Sequence, residues 1–404
     1  MKKALWIATI FCSACSLQEI KQEADATNSA ATIQGTLTTT EPAYQSYAGA
    51  FSVNDGHYLL RATAKVDGGS YSITLPPGDY AVGAYTDING NGAFDADVDL
   101  SAYWSNQDGS PVVERLNANS VNNVPPLALT SLSSNKFNPD LHSRNYKALE
   151  NMGRVVALSD PMFSDESAKL GVWQPLTYLE TYGGGLMFLQ EFEENKIPVI
   201  FVHGIFGSTT SFSDVIDGLD TSVYQPWVLQ YPSGLSLGLI SDYWVKAIDE
   251  LSNTYKFDHF QVVAHSMGGV VTRDFVRKFS AQNHSASISK VITVNSPLMG
   301  MPSAQKGVKY SPIVVPSWQD VATDSDFITT LHQWSWPDDL DYTLVASYLP
   351  GEPGDGIVDL TSSTSDRLQN EASQFYLMQG EHTQSLSKPV LVNFLLDEIH
   401  SASP

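Results

Sequence analysis

The segment HFQVVAHSMGGVVTRDF, from His259 to Phe275, limits the architecture more than any other stretch of the 404-residue chain. Its apolar, β-branched opening reads as a strand, and the spacing after Met267 reads as a helix. Between them stands one serine, Ser266, with a small residue two places before it (Ala264) and another two places after it (Gly268). A turn that only reversed the chain has no use for that arrangement. A turn that brings strand and helix close together while exposing a hydroxyl at the sheet edge requires it: this is the nucleophile elbow GxSxG, with Ala264 in the first glycine position. The flanking strand and helix give the short motif its specificity.

A serine hydroxyl is a weak nucleophile alone and needs a base, which in turn needs an orienting acid. With a nucleophile elbow these follow along the chain in the order Ser, acid, His. Downstream, GDGIVD places Asp355 in a turn just after the strand-like YTLVASY, and GEHTQSL places His382 just after SQFYLMQG. His284, His332 and His400 lie respectively beyond the elbow helix, in a Trp-rich segment and at the end of the last helix, so His382 is the better base. Asp359 and Glu381 compete as the acid. Asp359 lies one turn too far along, and Glu381 adjoins the histidine with its side chain directed away in an extended segment. The oxyanion donors expected here are the backbone N–H of Met267 and that of Ile205 in the loop HGIFGS. His203 in that loop is expected to hydrogen-bond the loop itself.

Along the chain, IPVIFVHG is a continuous apolar run of the kind buried on both faces of a parallel sheet. SDYWVKAIDELSNTY has helical spacing, SKVITVN is strand-like, and KPVLVNFLLDEIH closes the chain as a helix. Strands alternating with helices predict a mostly parallel α/β sheet with helices on both faces over residues 150–404. Before it, TIQGTLTTT, GSYSITL and GDYAVGAYT alternate apolar and polar residues between turn signals, which predicts a small all-β sandwich over 33–130, followed by a linker at 131–149. Between Asn295 and Asp341 a Trp- and Pro-rich stretch lacks a regular pattern. It reads equally as a lid or acyl pocket and as an excursion packed on the sheet.

Together IPVIFVHGIFGS, VVAHSMGGVV, NSPLMGMPSA, GDGIVD and GEHT resemble the α/β-hydrolase superfamily, in its lipase-like branch of bacterial triacylglycerol lipases and GPI inositol deacylase-type esterases. The resemblance spans about residues 150–404 and implies an α/β-hydrolase fold. It further implies carboxylic-ester hydrolysis through an acyl-serine without a cofactor, with those roles on Ser266, Asp355, His382, Ile205 and Met267. A thioesterase, amidase or acyltransferase on the same residues is the alternative, as is a non-catalytic surface binding protein. SITLPPGDYAVGAY resembles the transthyretin-like modules of secreted proteins.

The N-terminus adds a location. MKKALWIATIFCSAC has two lysines and a short apolar stretch, shorter than the ~20 residues of a membrane span, and is laid out as a secretory signal over 1–15. CSAC resembles the lipobox of bacterial lipoproteins, which implies lipidation at Cys15, a membrane attachment and, with Ser16 following, the outer membrane. Residues 16–32 read as a flexible tether. With 22 Lys+Arg against 44 Asp+Glu the net charge is −22, a field that repels phosphate backbones and excludes nucleic acid as a natural partner. Finally, DINGNGAFDADVD sets Asp87, Asn89, Asn91 and Asp95 at positions 1, 3, 5 and 9 of a calcium-type loop, with Asp99 or Asp97 to close the shell, which predicts a structural Ca²⁺ in the β module.

Overall fold

Short strands, some with clear period-two alternation, build the N-terminal unit. The computed structural model describes residues 13–90, 94–130 and 151–401. In its N-terminal part it has strands β1 (Ala31–Thr39), β2 (Ser46–Asn54), β3 (His57–Lys65), β4 (Ser70–Leu75), β5 (Gly78–Thr86), β6 (Leu100–Tyr103), β7 (Val113–Leu116), β8 (Val121–Asn123) and β9 (Leu127–Leu129). One sheet has the order β4-β1-β8 with β9 also on β1, and the other β3-β2-β5-β6 with β7 on β5. Ile33, Tyr71 and Ile73 from the first sheet and Ala48, Val82 and Ala84 from the second share one core, so the two sheets form a sandwich. The β2–β3 hairpin turns at Asp55-Gly56, both at positive φ (48° and 80°), the dipeptide that a tight primed turn demands.

The acidic loop between β5 and β6 is held by its own carboxylates. Asp99 is fully buried; its Oδ1 accepts from the Ile88 N–H at 2.8 Å and its Oδ2 from the Asp95 N–H at 2.7 Å. Asp87 accepts from the Gly90 N–H at 2.8 Å, and the Asn89 amide donates to Asp95 at 2.7 Å. Asn91, the remaining residue of the calcium expectation, lies outside the described residues. Among the described residues no group of three or more His, Cys, Asp or Glu is placed to hold a metal ion.

Over residues 16–32 the structure differs from the flexible tether that the sequence suggests: a helix, Ser13–Asn28, runs through it, and β1 opens at Ala31. The cause is local, since Leu17, Gln18, Glu19, Lys21, Gln22, Glu23 and Ala24 are all good helix formers. The Glu23 carboxylate also accepts from the Leu176 N–H at 2.8 Å, in the first turn of helix Pro175–Thr181, where a negative charge complements the helix dipole. Of the signal segment, residues 1–12 lie outside the described residues, as does the whole linker 131–149.

The second unit is built on one seven-stranded sheet: β10 (Gly185–Phe188), β11 (Ile197–Val202), β12 (Tyr224–Gln230), β13 (His259–His265), β14 (Ser287–Val294), β15 (Asp341–Tyr348) and β16 (Gln374–Gln379). The order is β10-β12-β11-β13-β14-β15-β16, with only β10 antiparallel. The continuous apolar runs are explained by burial on both faces. Ile200, Val202 and Val262 face the core formed with helices Leu237–Tyr255 and Met267–Phe279, where Trp244 stacks on Phe275 at 3.9 Å. Val199, Phe201 and Val263 face the opposite core, with Leu391, Leu395 and Ile399 of helix Pro389–Ser401. A Phe-to-Ala cavity in such a layer costs about 3–5 kcal/mol. The Asn295–Asp341 segment contains three short helices, Pro302–Tyr310, Pro316–Val321 and Asp326–Gln333. No helix among the described residues is long and apolar enough to cross a membrane. The C-terminal ends of β11, β13, β15 and β16 lie along one edge of the sheet, where the segments following them meet.

Candidate active site

Ser266 directly follows β13 and precedes helix Met267–Phe279, and its backbone has φ 55° and ψ −130°. A non-glycine residue there is strained, and the neighbours have to be small for the conformation to persist. A Cβ at Gly268 would lie 2.4 Å from the Val202 carbonyl oxygen and 2.6 Å from that of His203, and a Cβ at Gly204 would lie 2.7 Å from the Ser266 Cβ. The spacing of small residues in AHSMG and HG is therefore what lets β11, the elbow and the helix meet. Apart from Arg277 and Lys278, every residue of the elbow helix is buried, so the turn stands on a rigid base.

The three residues expected as a triad converge. The His382 Nε2 lies 2.8 Å from the Ser266 Oγ, and the Nδ1 lies 2.7 Å from the Asp355 Oδ2. Because a carboxylate only accepts, Nδ1 carries the proton and Nε2 is left to accept from the serine hydroxyl. The other oxygen of Asp355 accepts from the Ile357 and Val358 N–H groups at 2.9 and 2.8 Å, which fixes the carboxylate in the turn after β15. All three side chains are buried. The competing candidates are elsewhere engaged. Glu381 is exposed, His284 pairs with Asp249 at 2.6 Å, His332 donates to the Leu298 carbonyl, and His400 stacks on Tyr224.

The loop after β11 is shaped by His203. Its Nδ1–H donates to the Gly204 carbonyl at 2.8 Å, a carbonyl that also accepts from the Gly207 N–H at 3.1 Å. Its Nε2 accepts from the Tyr231 N–H, its ring stacks on Tyr231 at 4.3 Å, and the Tyr231 hydroxyl donates to the His203 carbonyl. The Gly204 C=O and the Ile205 N–H share one planar trans peptide, so anchoring the first fixes the direction of the second. Among the described residues neither the Ile205 nor the Met267 N–H has a hydrogen-bond acceptor. Burial drives the His203 pKa down to about 4 and that of His265 down to about 3, so both are neutral near pH 7.

Two contributors escape sequence reasoning. His265 and Asn295 lie inside VVAHSMGGVV and NSPLMGMPSA but at positions to which the sequence assigns no role, yet the His265 Nε2–H and the Asn295 amide both donate to the His382 carbonyl, at 3.1 and 2.8 Å. Their signal was present only as position, directly before Ser266 and directly after β14. Beside the site, Trp173, Phe206 and Trp318 form an aromatic cluster, with Trp173 6.0 Å from Phe206 and 5.5 Å from Trp318. Phe206 adjoins Ile205 and is exposed, and Trp318 comes from the Asn295–Asp341 segment.

A mostly parallel sheet with one antiparallel strand, helices on both faces and a serine on a strained strand-to-helix turn defines the α/β-hydrolase fold. In agreement, residues 238–385 match the sequence model of a family described as alpha/beta hydrolase of unknown function (DUF915), a span that includes Ser266, Asp355 and His382. No curated protein sequence matches the chain. Similar solved structures include the product of gene lin2722 from Listeria innocua, at 17% identity over 52% of this chain and 96% of the other, with TM-score 0.41. The lipase BlEst2 of Bacillus licheniformis in its mature form is similar at 14% identity over 53% and 95%, with TM-score 0.43.

Proposed function

We propose that this α/β-hydrolase chain is a serine hydrolase that cleaves carboxylic esters through an acyl-enzyme. One observation carries the proposal: His382 bridges the Ser266 hydroxyl and the Asp355 carboxylate at 2.8 and 2.7 Å, with the proton held on the Asp355 side. In this mechanism His382 takes the hydroxyl proton as Ser266 Oγ attacks the ester carbonyl, and the Asp355 carboxylate stabilises the imidazolium. The Ile205 and Met267 N–H groups receive the oxyanion. His382 then protonates the leaving alcohol, and a water activated by the same histidine releases the acid.

The aromatic cluster of Trp173, Phe206 and Trp318 supports an ester with an apolar acyl or alcohol group, because an exposed phenyl ring beside the oxyanion loop offers apolar surface next to the reacting carbonyl. Thioester, amide or acyl-transfer chemistry would use the same groups, and a binding protein would use none of them. Covalent labelling by a fluorophosphonate separates enzyme from binder: wild type should be labelled and Ser266→Ala should not. Turnover of esters of graded chain length, against matched thioesters and amides, then decides among the chemistries. The calcium expected at Asp87, Asn89, Asn91, Asp95 and Asp99 would belong to the other unit and is not used in this mechanism.

A further inference from the structure

Asn295 directly follows β14, is 1% exposed and has φ 51°, a left-handed conformation that asparagine tolerates better than most residues. Its own N–H donates to the Val345 carbonyl at 2.9 Å, which ties it to β15. Its side chain uses its full capacity of two donors and two acceptors. Nδ2 donates to the His382 carbonyl at 2.8 Å and to the Ser385 Oγ at 2.9 Å, while Oδ1 accepts from the Ser347 N–H at 2.7 Å and the Ser347 hydroxyl at 2.9 Å. The partners dictate which way the amide points, since the flipped amide would set oxygen against carbonyl and nitrogen against N–H. The amide thus joins the ends of β14 and β15 to the loop that follows β16.

That loop carries His382, and the bonds converge on its backbone. The His382 carbonyl accepts from Asn295, from the His265 Nε2–H at 3.1 Å and from the Ser385 hydroxyl at 3.0 Å, and its N–H donates to the Asp355 carbonyl at 3.1 Å. With both backbone polar groups pinned, the imidazole retains only its side-chain torsions. Both ring nitrogens are already engaged. Ordinary packing does not require three donors on one carbonyl, whereas a base that has to return to the same place after each proton transfer does.

We propose that Asn295 is a positioning residue which, with Ser385 and His265, holds the His382 loop so that the imidazole reaches Ser266; this rests on the Ser266–His382–Asp355 assignment above. The test uses the full chain. Reactive Ser266 is counted with a fluorophosphonate, and turnover of p-nitrophenyl butyrate per titrated site is measured across pH for wild type, Asn295→Asp and Ser385→Ala. Asn295→Asp is isosteric, keeps both acceptors for Ser347 and removes both donors toward the His382 loop. Ser385→Ala removes one donor and leaves the amide in place. We expect kcat per site to fall on the order of 10-fold or more in Asn295→Asp and by less in Ser385→Ala, with KM within about 2-fold of wild type. The acid limb of kcat/KM in Asn295→Asp moves to higher pH, because a carboxylate beside His382 stabilises the imidazolium. Turnover per site equal to wild type in both variants, with the acid limb unmoved, overturns the proposal. Should Asn295→Asp fail to fold, unchanged turnover in Ser385→Ala overturns it alone. Failure of the hydrolase assignment looks different, as a wild-type chain that the fluorophosphonate does not label.

Discussion

At the residue scale the site depends on where protons sit. Asp355 has one oxygen on His382 and the other on two backbone N–H groups, so Asp355→Asn can keep the turn while presenting an amide to the Nδ1 side. The amide favours the tautomer that directs an N–H at Ser266. Turnover should fall by roughly 10⁴-fold with KM little changed, as measured by steady-state ester hydrolysis. The buried histidines predict a pH effect on stability. His203 and His265 are driven mainly by burial from 6.5 down to about 4 and about 3. Below pH 6.5 the unfolded chain takes up protons that the folded chain refuses, so their contribution is complete above that pH and lost as pH falls toward 4 and then 3. The melting temperature should drop over that window, and it should drop less steeply in His265→Asn, which circular dichroism across the pH range would show. Ser266, Asp355 and His382 were legible because chain order and strand ends constrain them. Asn295 and His265 were not, since their roles arise from backbone groups more than eighty residues away that no spacing rule connects to them.

At the scale of elements, legibility followed how far a segment's local chemistry agrees with its fold. The strand β11 is an uninterrupted apolar run, and β13, β14 and β15 are rich in apolar and β-branched residues, so all four read as strands. The sequence YQPWVLQ gives no clear strand signal, yet β12 occupies an interior position between β10 and β11, with Pro226 paired to Val199. A proline seldom stands there because it has no N–H for the ladder. The hairpin β2–β3 is hard to read despite Asp55-Gly56, because its strands mix small and polar residues that blur the alternation. In the Asn295–Asp341 segment the helices are only six to nine residues long, too short for periodicity to register. Its helix Pro316–Val321 supplies Trp318, whose ring meets Trp173 at 5.5 Å. We expect Trp318→Ala to raise KM several-fold for esters with long acyl chains while leaving short-chain kcat near wild type, as chain-length profiling would measure. An equal effect at every length would assign Trp318 to packing alone.

At the scale of the whole molecule, the catalytic assignment and the assignment of cellular place rest on different residues. Ser266, Asp355, His382, Asn295 and the oxyanion loop all belong to the unit built on β10–β16, and none of them lies before residue 203. We propose that attachment to a membrane comes instead from the start of the chain, where CSAC would offer Cys15 to a lipid. Stable anchoring takes two acyl chains or one chain with a second signal, at about 0.8 kcal/mol per buried methylene, so loss of the thiol that carries the lipid decides the outcome. In a bacterial host we expect labelled palmitate to enter the wild-type chain and not Cys15→Ser, and the variant to leave the membrane pellet on fractionation. Fluorophosphonate labelling of Ser266 should be the same in both chains, because the hydrogen bonds that join the nucleophile, its base and its acid involve no residue of the N-terminal segment. Palmitate incorporation that persists in Cys15→Ser would remove the lipoprotein assignment and leave the catalytic one untouched.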